Sequence, residues 1–196
     1  MILSNTSVQE ALDAGRLKIE PKPLPLRTTG DGAECPYDTT ALDLTIGDEI
    51  AWFKEGLAVN IDLRRGRFAD LFGPNSESRI ISEEQPFALK TGVLVLGRTH
   101  EKVTLPIMQG AGPSLAARVE GKSSDARCGL VVHFTAPTIH AGFSGRITLE
   151  LINLGPIPIM LYPGAPICQL IIEEVRGVPF RNDSQFQQQA HPSGMP

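Results

Sequence analysis

A chain of 196 residues with 41% hydrophobic and 20% charged side chains is long enough to bury one substantial core and too apolar to be disordered throughout. Its formal charge of −4 at pH 7 and isoelectric point near 5.6 exclude a general affinity for nucleic acid or anionic membrane, because no surplus of cations exists to hold phosphate backbones. Three cysteines, Cys35, Cys128 and Cys168, are odd in number, widely spaced and without a Cys-x-x-Cys pair, which argues for reduced thiols in a cytoplasm rather than a disulfide framework.

The N-terminal stretch MILSNTSVQEALDAGRLKIEP has no basic leader followed by an apolar run, and no stretch of about 18 consecutive apolar residues follows, so neither export nor membrane spanning is expected. Thr6 or Ser7 is placed to cap a short helix in SVQEALDAG, with Glu10 three residues after Ser7 as in a capping box and Gly15 as its stop. After the turn-rich PKPLPLRTTGDG come TTALDLTIGDEIAWF, PFALKTGVLVLGRTHEKVTL, SLAARVEG, GLVVHFTA, GRITLELINLG and APICQLIIEEV. These alternate apolar and polar residues, or are rich in β-formers, between Gly and Pro punctuation. Many short strands and few helices predict a mostly β sandwich or distorted barrel. RGRFADLFGPNSESR reads as a polar excursion between strands, and FRNDSQFQQQAHPSGMP as a tail that is mobile unless something holds it.

The segment GKSSDARCG gathers Lys122, Ser123, Ser124 and Arg127 beside small residues. A helical turn starting there would turn free N–H groups toward a phosphate, with the two cations adding charge; a surface turn with solvated charges is the competing reading. In GRITLELINL, alternation puts Ile147, Leu149 and Leu151 on one face and Thr148, Glu150 and Ile152 on the other. A half-buried Glu150 would have its pKa raised toward neutrality, so that it could take a proton from water and return it to a leaving amine; an exposed strand glutamate is the alternative. His133 and His140 are candidate bases or ligands, but His100 and His191 add no cluster, and the His/Cys, Glu and PCxxC spacing of a zinc deaminase is missing. Cys168, alternating with apolar residues in ICQLII, reads as a buried core thiol.

MILS…ALDAGRLKIEP, TTALDLTIG, EGKSSDARCGL, TAPTIHAGFSGRITLELINLG, YPGAPICQLIIEEV and a tail QFQQQ, in that order and spanning nearly the whole chain, resemble the metal-independent dCTP deaminases. These are relatives of trimeric dUTPases and of bifunctional dCTP deaminase-dUTPases. The resemblance implies a distorted jelly-roll, dUTPase-like β-barrel over residues 1–178 and a tail over 179–196 that closes on bound nucleotide. It also implies a homotrimer with active sites shared between subunits, no nucleic acid or membrane partner, Mg²⁺ carried on the triphosphate, and no zinc. Lys122, Ser123, Ser124, Ala126 and Arg127 match the family's R-S-S-x-A-R signature, which grips the triphosphate and, through Ser123 and Arg127, orders the reacting water. Glu150 matches the catalytic glutamate, the Ala136 carbonyl a position that holds the water, Thr148 and Leu149 backbone contacts to the pyrimidine, and Gln189 a base-reading glutamine.

Four positions depart from the pattern. Lys122 replaces arginine and loses the two-pronged donor. Phe180 stands near a tyrosine, Gln185 replaces a phosphate-binding lysine, and His140 replaces the aspartate that supports the sugar hydroxyl and, in dUTPases, orients water. Hydrolytic deamination of dCTP to dUTP and ammonia is therefore the expected activity. Pyrophosphate hydrolysis of dUTP or dCTP is the alternative enzyme, and a nucleotide-binding regulatory protein without turnover the alternative from another class.

Overall fold

The computed structural model describes residues 1–30, 33–58, 60–62, 64, 68–110, 112–181 and 188–192. Among them three helices and twelve strands follow one another: α1 (Asn5–Asp13), β1 (Lys18–Glu20), β2 (Leu42–Thr45), β3 (Glu49–Phe53), α2 (Phe68–Asn75), β4 (Ser76–Ile80), β5 (Phe87–Leu89), β6 (Leu94–Thr104), β7 (Leu115–Gly121), α3 (Ser123–Arg127), β8 (Leu130–Val132), β9 (Thr138–Ile139), β10 (Ser144–Asn153), β11 (Ile159–Leu161) and β12 (Pro166–Glu174). One sheet runs β4-β3-β6-β10-β8 with β1 also on β6, a second runs β2-β12-β7-β9, and β5 pairs with β11. The sheets are mostly antiparallel ribbons left open at their ends, so the expected mostly β, jelly-roll-like architecture is present as two curved layers rather than a closed barrel.

Alternating burial joins the layers. Leu42, Leu44, Leu170 and Ile172 from one sheet and Val95, Ile147, Leu149 and Leu151 from the other are all 0% exposed and belong to one core. Each such side chain contributes about 1.5–3 kcal/mol relative to exposure. Cys168 lies in the same core, and burial pushes its thiol well above the ordinary range, as expected of an inert core cysteine.

Two local expectations are corrected. The cap of α1 is Ser4, whose Oγ accepts from Ser7 N at 3.3 Å, rather than Thr6 or Ser7. Leu3 is buried and its N–H bonds Ile172 O at 2.9 Å, so the chain leaves the sheet there and the helix starts at the next opportunity. The supposed polar excursion contains α2 and β4. Phe72 is 1% exposed, packed on Ala51 and Leu96 with Phe53 and Phe68 beside it, so this segment covers the outer face of the first sheet. Among the described residues no helix is long and apolar enough to cross a membrane.

β10 carries two of the candidate site residues, Thr148 and Glu150. Its odd residues from Gly145 to Asn153 are buried and its even residues partly exposed. The register against β6 slips between Arg146 and Thr148, where Thr99 Oγ1 accepts from Ile147 N at 2.9 Å and donates to Glu101 O at 2.7 Å. The extra residues lie on β6, so β10 keeps its alternation unbroken through the slip and its even residues share one face. Asn153, fully buried, ends the strand by bonding Leu89 O, Ile157 O and Gly155 N through its amide.

Candidate active site

In an antiparallel strand the N–H and C=O of one residue point the same way and alternate along the chain. On β10 the even residues turn theirs away from β6. Glu150 O accepts from His133 N at 2.8 Å just past β8. At the other end, Gln188 N donates to Ser144 O at 2.7 Å, Arg146 N donates to Gln189 O at 2.9 Å, and Gln189 Nε2 donates to Arg146 O at 2.7 Å. Between those two sets of partners Thr148, in register with Arg98 of β6, turns its N–H and C=O to the same outer edge, where no turn, loop or side-chain bond among the described residues meets them. The result is a slot in the sheet edge, spanning four residues or about 13 Å of strand, with one donor and one acceptor exposed side by side.

The polar side-chain atoms around this slot are also unmet. Among the described residues, the buried side-chain nitrogens and oxygens without a hydrogen-bond partner are Arg98 Nε, both ring nitrogens of His133, and Thr148 Oγ1. All sit on two adjacent rows: His133 beside Glu150, and Arg98 opposite Thr148. Buried polar groups are normally satisfied, so such a concentration marks a place built for a polar ligand.

Glu150 is half-buried, its side chain 37% exposed, and Oε2 lies 2.8 Å from His133 Nδ1, at ion-pair distance but out of line for a hydrogen bond. Burial is the largest single influence and pushes the carboxyl up, but pairing with His133 and the group's own backbone N–H together outweigh it, and the group rests below its usual range. This corrects the expectation of a carboxyl raised toward neutrality. His133 reaches Glu150 because its φ of 58° is left-handed, a conformation that costs about 1–3 kcal/mol in a non-glycine residue and turns the chain out of β8.

α3 holds Ser123, Ser124, Ala126 and Arg127 at the surface, all exposed. Lys122 is not a free cation: its Nζ is ion-paired with Asp43 of β2, whose other oxygen accepts from Gln169 Nε2 at 3.3 Å. Ser124 Oγ donates to Asp125 Oδ1 at 3.0 Å. Among the described residues no hydrogen bond or ion pair joins α3 to Glu150 within one chain. They are tied instead through backbone, since Leu154 N donates to Gly129 O at 2.8 Å, fastening the exit of α3 to the end of β10.

The remaining candidates are scattered. Ala136 lies in an exposed stretch between β8 and β9, and His140, also exposed, follows β9 with its carbonyl accepting from Phe143 N at 3.1 Å. Leu149 is 0% exposed and turns its backbone toward β6, away from the slot. Phe180 is 89% exposed, and Gln185 lies outside the described residues. Gln189, by contrast, is buried at 7% exposure against β10. The tail goes on to His191, whose Nδ1 lies 3.0 Å from Glu49 Oε2. Sequence reading missed Arg98 and Asp43; strand register places the first opposite Thr148 and the second, on β2 of the same sheet as β7, beside Lys122. No three His, Cys, Asp or Glu side chains among the described residues gather as a metal site.

The tail can lie this close because Gly145 has no side chain: a Cβ there would stand 3.1 Å from both Gln189 N and O. Gly145→Val is therefore expected to lift residues 188–192 off β10, raising the KM for nucleotide about tenfold and speeding amide exchange at Gln189, measured by hydrogen exchange; protection equal to the parent protein would refute it.

The sequence profile of a family described as dCTP deaminase-like matches residues 2–175. A protein named dCTP deaminase, dUMP-forming, from Methanosphaera stadtmanae is 35% identical over 172 residues, 88% of this chain and 78% of that protein. Its counterpart of the same name from Dictyoglomus thermophilum is 37% identical over 170 residues, covering 87% and 78%, and the Rhodospirillum rubrum protein named dCTP deaminase is 35% identical over 178 residues, covering 88% and 82%. The crystal structure of 2′-deoxycytidine 5′-triphosphate deaminase from Agrobacterium tumefaciens superposes with a TM-score of 0.60 at 19% identity over 89% of this chain and 48% of that one. This chain thus spans about half of the Agrobacterium chain, and the likeness there is one of fold. With its profile matched from residue 2 to residue 175 and relatives more than a third identical across most of their length, the chain belongs to the dCTP deaminase-like family.

Proposed function

We propose that this protein deaminates dCTP hydrolytically, with Glu150 taking a proton from water as the oxygen attacks cytosine C4 and passing it to nitrogen as the C4–N4 bond breaks and ammonia leaves. The observation that carries the reading is the open edge of Thr148, lying between Glu150 and Gln189 and ringed by unmet polar atoms. One N–H and one C=O side by side suit a pyrimidine, which offers acceptors at O2 and N3 and a donor at the exocyclic amine. The ionised state of Glu150 suits a group that must accept a proton first.

The triphosphate falls to Ser123, Ser124 and Arg127, whose exposed side chains supply hydroxyls and a cation, and Mg²⁺ enters on the phosphate oxygens as part of the substrate. Lys122, held by Asp43, contributes less than an unpaired cation would. Because α3 and Glu150 share no direct bond in one chain, we assign the complete site to a homotrimer in which neighbouring copies complete one another. Phe134, Leu154, Ile157 and Met160, 40%, 65%, 72% and 46% exposed, supply apolar surface for that contact. Residues 179–196 act as a tail over the nucleotide, and the free thiols Cys35, Cys128 and Cys168 fit a cytoplasmic setting.

A second reading adds pyrophosphate release, because the relatives from Methanosphaera and Dictyoglomus are named dUMP-forming. His140 in place of an aspartate weakens it, since imidazole binds a hydroxyl but supplies no anionic base there. Incubating the full chain with Mg²⁺ and dCTP and identifying products decides the matter. Ammonia with dUTP supports deamination alone, ammonia with dUMP and pyrophosphate the second reading. A nucleotide-dependent thermal shift with neither product would overturn both in favour of a binding protein.

A further inference from the structure

The row that carries Glu150 is sealed on one flank by an aromatic helix. Ala51, Leu96 and Phe72 are 3%, 7% and 1% exposed and form a small core of their own on the outer face of the first sheet, with Phe53 and Phe68 packed against it. Phe72 meets Phe53 edge-on with ring centroids 4.8 Å apart and stacks on Phe68 at 5.1 Å. Ala51 pairs with Leu96, and Leu96 pairs with Glu150. Cross-strand neighbours on one face stand about 5 Å apart at Cβ, so this dry core begins one strand away from the carboxylate. On the opposite flank stands His133.

We infer that Phe72 and Leu96 are positioning residues for the reaction: they exclude water from one side of Glu150, leaving its carboxylate desolvated toward α2 and paired toward His133. This rests on Glu150 being the proton acceptor. A half-dry carboxylate is a stronger base than a hydrated one, because desolvation disfavours its charged form. His133 opposes that effect, and the two together set where the group titrates.

Few other charges reach this carboxylate. On β6, Arg98 lies one row along and is engaged by Asp48 at 2.7 Å and Glu49 at 3.8 Å. On α2 the charged residue with a described side chain is Asp70, which is exposed. On β10 itself the neighbours on the same face are Thr148 and Ile152, both uncharged. Thinning the apolar flank therefore reduces the raising influence and leaves the lowering ones, so Glu150 is expected to titrate at lower pH.

The test uses Leu96→Val and Phe72→Leu, which shave volume without adding polarity, in the full-length protein. Two readouts are taken: the pH dependence of kcat/KM for ammonia release from Mg²⁺-bound dCTP, and the carboxyl titration of Glu150 followed by ¹³C NMR without nucleotide, assigned with Glu150→Gln. Both the titration and the acid limb are expected to move together to lower pH, with kcat down about tenfold, and Leu96→Met, which restores the volume, to bring both back. A folded Leu96→Val or Phe72→Leu protein whose Glu150 titrates where the parent's does would overturn the inference, whatever its rate. If Glu150→Gln still releases ammonia at the parent rate, it is the assignment of Glu150 as base that fails, and the NMR titration still decides whether the flank dries the carboxyl.

Discussion

Glu150→Gln is expected to lower kcat for ammonia release from dCTP by about 10²–10⁴-fold while leaving nucleotide binding largely intact, as followed by thermal shift. The amide has nearly the shape of the carboxylate and keeps a hydrogen-bonding oxygen, so the strand and the Thr148 edge stay in place; what goes is the ability to accept and return a proton. On the proposed mechanism the same carboxylate is expected to set the low-pH limit of activity. Burial raises it most, but His133, 2.8 Å away, and its own backbone N–H together lower it further, so the folded protein holds Glu150 below its ordinary value. The form that the proposed mechanism needs is the ionised one. Activity governed by Glu150 is therefore fully present above the ordinary carboxylate range and is lost only as pH falls through the depressed value. A kcat/KM profile whose acid limb lay near neutrality would assign that limb to another group, and a Gln variant as active as the parent protein would remove Glu150 from the chemistry.

Alternation makes the layers legible in the sequence. Ile147, Leu149 and Leu151 turn inward and Thr148 and Glu150 outward, as period two requires, and Cys168 is buried for the same reason. What depends on register or on one left-handed residue was not legible. Arg98 reaches the site through its register opposite Thr148, and His133 meets Glu150 through its φ of 58°, which no sequence pattern announces. That is why the direction of the Glu150 shift came out reversed: half-burial was readable from the strand, its partner was not. α2 was hidden by its surroundings, since Gly73, Pro74 and the polar SESR run masked the Phe68 and Phe72 pair at helical spacing. Ser4, Thr6 and Ser7 are equally good caps by residue type, and the bond from Leu3 to β12 selects Ser4. The docking of Gln188 and Gln189 uses mainly backbone atoms, which side-chain chemistry cannot reveal.

Gly129→Ala and Gly155→Ala are each expected to destabilise the fold by about 3 kcal/mol or more and to abolish nucleotide binding in whatever protein still folds. At this crossing two backbones touch. A Cβ on Gly129 would overlap the backbone nitrogen and Cα of Gly155, and one on Gly155 would overlap the carbonyl oxygen of Cys128. Gly129 also has φ +97°, which disfavours any side chain before the clash is counted. Neither strand can retreat. Gly155 N donates to Asn153 Oδ1 at 2.8 Å and Gly155 O accepts from Thr91 Oγ1 at 2.7 Å, while Asn153 is itself fully buried and bonded to Leu89 and Ile157. On the other side, Gly129 closes α3, the element assigned to the phosphates. The crossing thus sets the distance between that element and β10, the strand of Glu150, and three residues of strand, about 10 Å, separate Asn153 from Glu150. A methyl group at either glycine must displace α3 relative to Glu150 even where the core survives. Thermal unfolding with and without Mg²⁺-bound dCTP separates the two effects: a lower midpoint that dCTP still raises as in the parent would mean that the crossing supports the core alone, whereas loss of the nucleotide-dependent rise would show that it holds the phosphate element in register with the carboxylate.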